Sequence, residues 1–236
     1  MNKTILISGA AGFIGSHLTQ KLLDKDFKII LIDNFSGKKK DRSFKKFLNY
    51  KNVKFFNVDL KKKINLNIKK IDYIFHLASN VGVKNINKLP FESFINNVLS
   101  TINIIDFARQ LRNNPKLILF STSEVYSPLI QNKKVKFPLS EKNNILIENK
   151  VISRDAYYLS KIFNEKITQL SSLNFLILRP HNIYGPRMGY NHVIPELIKK
   201  LKKNKITNNI YIHSPKHTRA FCYIDDAIEQ IIKLSF

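Results

Sequence analysis

The chain has 236 residues, of which 44% are hydrophobic and 24% charged, and its 40 Lys+Arg against 17 Asp+Glu give a formal net charge of +23. This is an ordinary folding mixture that excludes a disordered tail or a fibre. The single cysteine, Cys222, excludes an intrachain disulfide, and no apolar run reaches the ~18 residues that span a bilayer, so the expectation is a cytoplasmic chain with no membrane partner.

Period and punctuation then give strands and helices in alternation. Thr4 to Ser8 is a short apolar run ended by glycine, and Phe13 to Leu23 carries apolar residues at helical spacing through Phe13, Ile14, Leu18, Leu22 and Leu23. Further apolar runs at Phe27 to Ile32, Val53 to Val58, Tyr73 to Leu77, Leu117 to Phe120 and Phe175 to Leu178 read as strands buried on both faces. Helical stretches at Phe91 to Arg112 and Tyr157 to Leu170 are long enough to serve as crossovers.

Ser127 to Ser153, with two prolines, five lysines and no period, reads as a surface loop or insertion. Pro180, Gly185, Pro186 and Gly189 mark an irregular loop, followed by a helix over Val193 to Lys203. Short strands are expected at Tyr211-Ile212-His213 and Phe221 to Ile224, and a last helix at Asp225 to Leu234. The fold class is α/β, a doubly wound parallel sheet built on right-handed βαβ units.

The basic surplus is 33 Lys and only 7 Arg, beside 33 Ile and 26 Asn. Lys, Asn and Ile have AT-rich codons, so drift in base composition accounts for the excess without a nucleic-acid partner. Lysine is also a poorer fork for phosphates and bases than arginine. The runs Lys38 to Lys40, Lys61 to Lys63 and Lys199 to Lys203 read as solvated surface.

Gly9-Ala10-Ala11-Gly12-Phe13-Ile14-Gly15 lies where the first strand turns into the first helix. That context suits a dinucleotide: Gly9 for the tight turn, Gly12 for approach of a pyrophosphate to backbone N–H groups, and Gly15 for close packing of helix on sheet. Asp33, at the end of the second strand, suits ribose hydroxyls and repels a 2′-phosphate, which favours NAD over NADP. Asp59-Leu60 ends the third strand, and either borders an adenine or makes a plain turn.

Tyr157 and Lys161 stand four apart on one helix face. A tyrosine must be lowered from about 10 toward neutrality to act as a base, a change of roughly 4 kcal/mol, and an ammonium at ~4 Å supplies about that at an effective dielectric of about 20. The lysine is thus expected to have an electrostatic task. No two of the six histidines share a metal-ligand motif, and no metal is expected.

Together with Ser121-Thr122-Ser123-Glu124-Val125-Tyr126 after the fifth strand, these features resemble the extended short-chain dehydrogenase/reductase family of nucleotide-sugar epimerases, dehydratases and decarboxylases. Also matching, in family order, are His76-Leu77-Ala78-Ser79, Asn97 in Phe94 to Val98, Arg179 to Pro186, and Arg219 to Asp226. The resemblance implies that NAD is held by Gly9, Gly12, Phe13, Ile14, Gly15, Asp33, Asn34, Asp59, Leu60, Leu77, Ala78, Asn97, Tyr157, Lys161 and Pro180. It implies catalysis by Thr122, Glu124, Tyr157 and Lys161, with Ser79, Ser123, Asn182, Arg187 and Arg219 on a nucleotide-diphosphate sugar.

On the family pattern Thr122 orients a sugar hydroxyl, Tyr157 removes its proton, and a 4-keto sugar forms. Re-reduction, loss of water and loss of carbon dioxide all remain open. Thr-Ser-Glu looks like the UDP-glucuronate decarboxylase and GDP-mannose dehydratase pattern, whereas many 4,6-dehydratases have an acid where Ser123 stands. Ser127 replaces the usual glycine.

Residues 1–178 are expected to form the NAD-binding domain, and 179–236 a partial, C-terminally shortened substrate lobe that returns to the first domain near 219–236. The family also implies a homodimer. Since its chains normally continue further, an NAD-binding protein without catalysis is the alternative of another class.

Overall fold

The structure is a computed structural model that describes residues 3–25, 27–37, 42–80, 83–132, 135–190, 192–203, 212 and 218–236. Its strands are β1 (Thr4–Ser8), β2 (Lys28–Asp33), β3 (Val53–Asn57), β4 (Tyr73–His76), β5 (Lys116–Phe120), β6 (Phe175–Leu178), β7 (Asn182–Tyr184) and β8 (Phe221–Tyr223). Its helices are α1 (Phe13–Leu23), α2 (Arg42–Phe47), α3 (Val83–Lys88), α4 (Pro90–Arg109), α5 (Ser127–Gln131), α6 (Asp155–Gln169), α7 (Val193–Lys203) and α8 (Ile224–Ser235), with a 3₁₀ turn at Ser123–Tyr126.

Six strands make one parallel sheet in the order β3-β2-β1-β4-β5-β6. The register pairs Ser8 with Ile32 on one side and with His76 on the other, so the ends of β1, β2 and β4 are level. The order reverses between β1 and β4, and the crevice there, at the carboxyl ends of the strands, is where such sheets bind ligands.

Alternation along β1 explains the layers, because successive side chains point to opposite faces. Ile5 and Ile7 join Leu18 and Leu22 of α1, Phe44 and Phe47 of α2, and Ile224, Ile228 and Ile231 of α8 in one core. Leu6 points the other way, with Ile30, Ile74 and Leu117, against Ile104, Phe107 and Ala108 of α4. The return of the chain to the sheet is thus made by α8, which packs beside α1.

The 3₁₀ turn has its own small core, in which Val125 and Tyr126 pack on Tyr158 and Ile162 of α6. β7 and β8 form a separate parallel pair, Ile183 opposite Cys222. Two short helices, α2 and α3, and the strand β7 lie where no element was expected. The loop expected from Ser127 begins instead as α5, whose Pro128 suits a first helical turn, where its missing N–H is not needed. Of the strand expected at Tyr211 to His213 only Ile212, which is exposed, is among the described residues, and the Lys38 to Lys40 run lies outside them.

Candidate active site

At the end of β1, Gly9 turns with φ +69° and donates its N–H to Ile32 O at 3.0 Å. A Cβ on Gly9 would lie 2.8 Å from Ala78 N, and one on Gly15 would lie 2.3 Å from Gly9 O, so both positions require the absence of a side chain. Gly12 caps α1 without a side-chain hydrogen bond. The N-terminus of α1 therefore presents backbone to the crevice, and this cradle fits a dinucleotide pyrophosphate.

Asp33 closes the turn from the other side. Its Oδ2 accepts Ala11 N–H at 2.9 Å and its Oδ1 accepts Phe35 N–H at 2.7 Å, leaving acceptor capacity for ribose hydroxyls. Exposed Asn34 accepts Ser36 N–H at 3.0 Å. Asp59 makes a turn of its own: Oδ1 accepts Lys61 N–H at 3.1 Å and Oδ2 pairs with Lys61 Nζ at 3.6 Å. The Leu60 side chain sits in the α4-side core, 7% exposed.

Past β4, Leu77 N–H donates to Ser8 O at 3.2 Å and Ala78 N–H to Ser8 Oγ at 3.3 Å. Asn97 is 1% exposed and acts through the segment beside it. Its Oδ1 accepts Ser79 Oγ at 3.1 Å and Asn80 N–H at 2.6 Å, while its Nδ2 donates to Asn80 O at 3.3 Å and Ser160 Oγ at 3.1 Å. Asn97 thus ties the β4 exit to α6, and every polar atom of its side chain has a protein partner.

Thr122 precedes the 3₁₀ turn and accepts Glu124 N–H at 3.2 Å; Ser123 N–H donates to Pro180 O at 3.1 Å. Among the causes acting on the Tyr157 phenol the Thr122 side chain alone favours ionisation, so the two side chains are near neighbours. Lys161 is 4% exposed; its Nζ donates to Phe120 O at 2.8 Å and lies 5.9 Å from the centre of the Tyr157 ring.

The electrostatics differ from the expectation of a lowered tyrosine. Burial, then the Glu124 charge, push the Tyr157 phenol up, and only the Thr122 hydrogen bond opposes them. The Lys161 ammonium, 5.9 Å from the ring centre, is instead engaged by the Phe120 carbonyl. Burial also lowers Lys161 to about 8, with Glu165 resisting. Below that value the group is mainly cationic.

Glu124 opens to solvent, but the protein around its carboxyl removes enough water to raise it above the usual carboxylate range, against Arg154 and Arg219. Asn182 Nδ2 donates to Ala220 O at 3.1 Å, joining β7 to the approach of β8. Arg219 is exposed, with Nη1 on Thr218 O at 2.8 Å, and Arg187 has φ +70° in the loop after β7.

Sequence reasoning missed Arg154, at the start of α6 and acting on Glu124, and the pair of buried Glu165 with half-buried Arg179, whose Oε2 and Nη2 are 2.6 Å apart. The available signal was positional: Glu165 lies one helical turn after Lys161, and Arg179 directly follows β6.

A UDP-N-acetyl-alpha-D-glucosaminuronate decarboxylase of Bacillus cytotoxicus is 32% identical over 241 residues, covering 98% of this chain and 71% of that protein. UDP-glucuronic acid decarboxylase 5 of Arabidopsis thaliana is 29% identical, over 99% of this chain and 66% of its own length. This chain therefore spans about two thirds of the latter relative. The crystal structure of UDP-glucuronic acid 4-epimerase from Bacillus cereus, in complex with UDP-glucuronic acid and NAD, matches with a TM-score of 0.76 and 28% identity, covering 99% of this chain and 73% of that one. Among the described residues no helix is long and apolar enough to cross a membrane. The match to the family description runs over residues 5–235, from the strand before the glycine turn to the end of α8, and the chain belongs to the NAD dependent epimerase/dehydratase family.

Proposed function

We propose that the chain converts a nucleotide-diphosphate sugar through a 4-keto intermediate, with NAD as its cofactor. Tyr157 beside Thr122 and buried Lys161, in a fold whose first helix starts from a bare glycine turn, carries this reading. Gly9, Gly12, Phe13, Ile14 and Asp33 would hold NAD on one side of the crevice, with Leu77 and Ala78 beneath it. When bound, NAD supplies the hydride acceptor for oxidation at the sugar carbon.

The rest falls to the chain. Thr122 orients the sugar hydroxyl, and Tyr157 takes its proton as the carbon is oxidised. To accept it the phenol must first be ionised, which burial and the Glu124 charge oppose and a cationic Lys161, 5.9 Å from the ring centre, would favour. Asn182, Arg187 and Arg219 lie on the 179–236 side, which we assign to the substrate, opposite the 1–178 cofactor domain.

Incubation with a panel of UDP-, GDP-, dTDP- and CDP-sugars, followed by NMR, tests the reading. Wild type is expected to transform at least one sugar, and Tyr157→Phe to lower kcat by about 10²-fold or more. No turnover by wild type, or full turnover by the variant, rejects it.

Decarboxylation of a sugar uronate is the second reading, favoured by the cations Arg154 and Arg219 around Glu124, a setting that suits a carboxylate ligand. In the same spectra it predicts a pentose from UDP-glucuronate, where epimerisation returns an inverted hexose. A cytoplasmic homodimer belongs to the same proposal, supported by Phe91, Leu99, Ile102 and Phe163, which stay exposed on α4 and α6.

A further inference from the structure

Glu165 is 0% exposed, and both of its carboxylate oxygens are taken by protein donors. Oε1 accepts Ser121 Oγ at 2.5 Å and Arg179 Nε at 2.8 Å, and Oε2 accepts Arg179 Nη2 at 2.6 Å. The remaining arm of the guanidinium, Nη1, donates to the Tyr126 hydroxyl, and the guanidinium carbon lies 5.0 Å from the centre of that ring. One ion pair thus joins α6, the end of β5, the 3₁₀ turn and the residue after β6.

Those are the segments that carry the site. Lys161 and Tyr157 lie one and two helical turns before Glu165, Thr122 follows Ser121, and Glu124 stands between Ser121 and Tyr126. Stability alone does not explain the pair, because a buried ion pair gains little over apolar residues of the same volume. Its bidentate geometry does fix distance and angle between the two halves it joins.

We propose that Glu165 and Arg179 are positioning residues, which clamp the Ser121 to Tyr126 segment onto α6 so that Thr122, Tyr157 and Lys161 meet. This deepens the function proposed above and rests on it. The Glu165 charge opposes the burial that lowers Lys161 to about 8. The other titratable neighbours of Lys161 are His76 on β4 and Tyr157 on α6, with Arg179 beyond Glu165. β5 contributes the Phe120 carbonyl, and Asn97 and Thr101 of α4 are uncharged.

Three variants separate the clamp from general stability. Tyr126→Phe removes only the acceptor of the outer arm, Arg179→Lys keeps the charge without the fork, and Glu165→Gln keeps the shape without the charge. The first two are expected to keep the wild-type circular dichroism and the KM for the sugar, with kcat lowered by about tenfold to hundredfold. In the third, the Lys161 titration moves below its wild-type position, read by NMR of lysine-labelled protein without sugar, Lys161→Arg assigning the resonance.

Unchanged kcat in folded Tyr126→Phe and Arg179→Lys overturns the proposal. If wild type turns over no sugar, the functional reading fails and NMR of the protein without sugar still decides the clamp: Thr122 and Tyr157 resonances that shift in Arg179→Lys support it, and resonances that stay in place overturn it.

Discussion

His76 is a base sealed between two hydroxyls. Its Nδ1 lies 2.7 Å from Ser8 Oγ and its Nε2 3.0 Å from Thr101 Oγ1. The Thr101 hydroxyl donates to Asn97 O at 3.2 Å, so it accepts from the ring, which places the proton on Nε2 and leaves Nδ1 to accept from Ser8. Burial, then the Lys161 charge, hold the group at about 3, well below an ordinary histidine. The unfolded chain takes up this proton near pH 6.5 and the folded chain does not until about pH 3, so stability is full above 6.5 and falls as pH drops through that window. Urea unfolding at stepped pH is expected to show a wild-type slope exceeding that of His76→Gln by up to about 1.4 kcal/mol per pH unit. Equal slopes would remove His76 as the acid-sensitive group.

At the scale of elements, α4 and α6 differ in how they spend their apolar residues. α4 buries Ile104, Ile105 and Phe107 against the sheet, yet Leu99 and Ile102 stay exposed, and Phe163 of α6 is 48% exposed with its ring 5.5 Å from Phe94. A shared apolar face across two packed helices suits a second copy of the chain. Phe163→Glu is therefore expected to convert a dimer to a folded monomer in sedimentation equilibrium, and a wild type that is already monomeric refutes the interface. Both long helices were legible in the sequence because each has several turns over which period 3.6 stands out. β1, α1 and β6 were read with their observed bounds, since a clean apolar run or a glycine turn delimits each. Arg42–Phe47 and Val83–Lys88 were not legible, because six residues give no period, and β7 is only three residues long. In the candidate site, glycine spacing and the Tyr157–Lys161 interval singled out the turn after β1 and the start of α6. What they could not carry was direction: Lys161 turns to the Phe120 carbonyl, and Arg179 reaches back to Glu165, because those partners come from other strands and helices.

At the scale of the whole molecule, a charge of +23 acts on ligands whatever its origin in codon usage. Its field extends over about one Debye length, ~10 Å at 0.1 M salt and ~30 Å at 0.01 M, so at low salt lysines far from the crevice still attract an anion. The proposed substrate, a nucleotide-diphosphate sugar, is such an anion, and steering raises encounter without altering the groups proposed to react. The two effects separate kinetically, because Tyr157, Thr122 and Lys161 are buried or half-buried and are screened little by added salt. For the sugar that wild type accepts, raising ionic strength from about 0.01 M to about 0.15 M is expected to lower kcat/KM several-fold while kcat stays constant. Steady-state kinetics across that range, with the salt identity varied to exclude ion-specific binding, measure both. A kcat/KM that stays level means the surface lysines are neutral bystanders and that recognition of the proposed substrate is confined to short-range contacts. A kcat that falls in step with kcat/KM instead places the salt effect on the reacting groups, which their burial argues against.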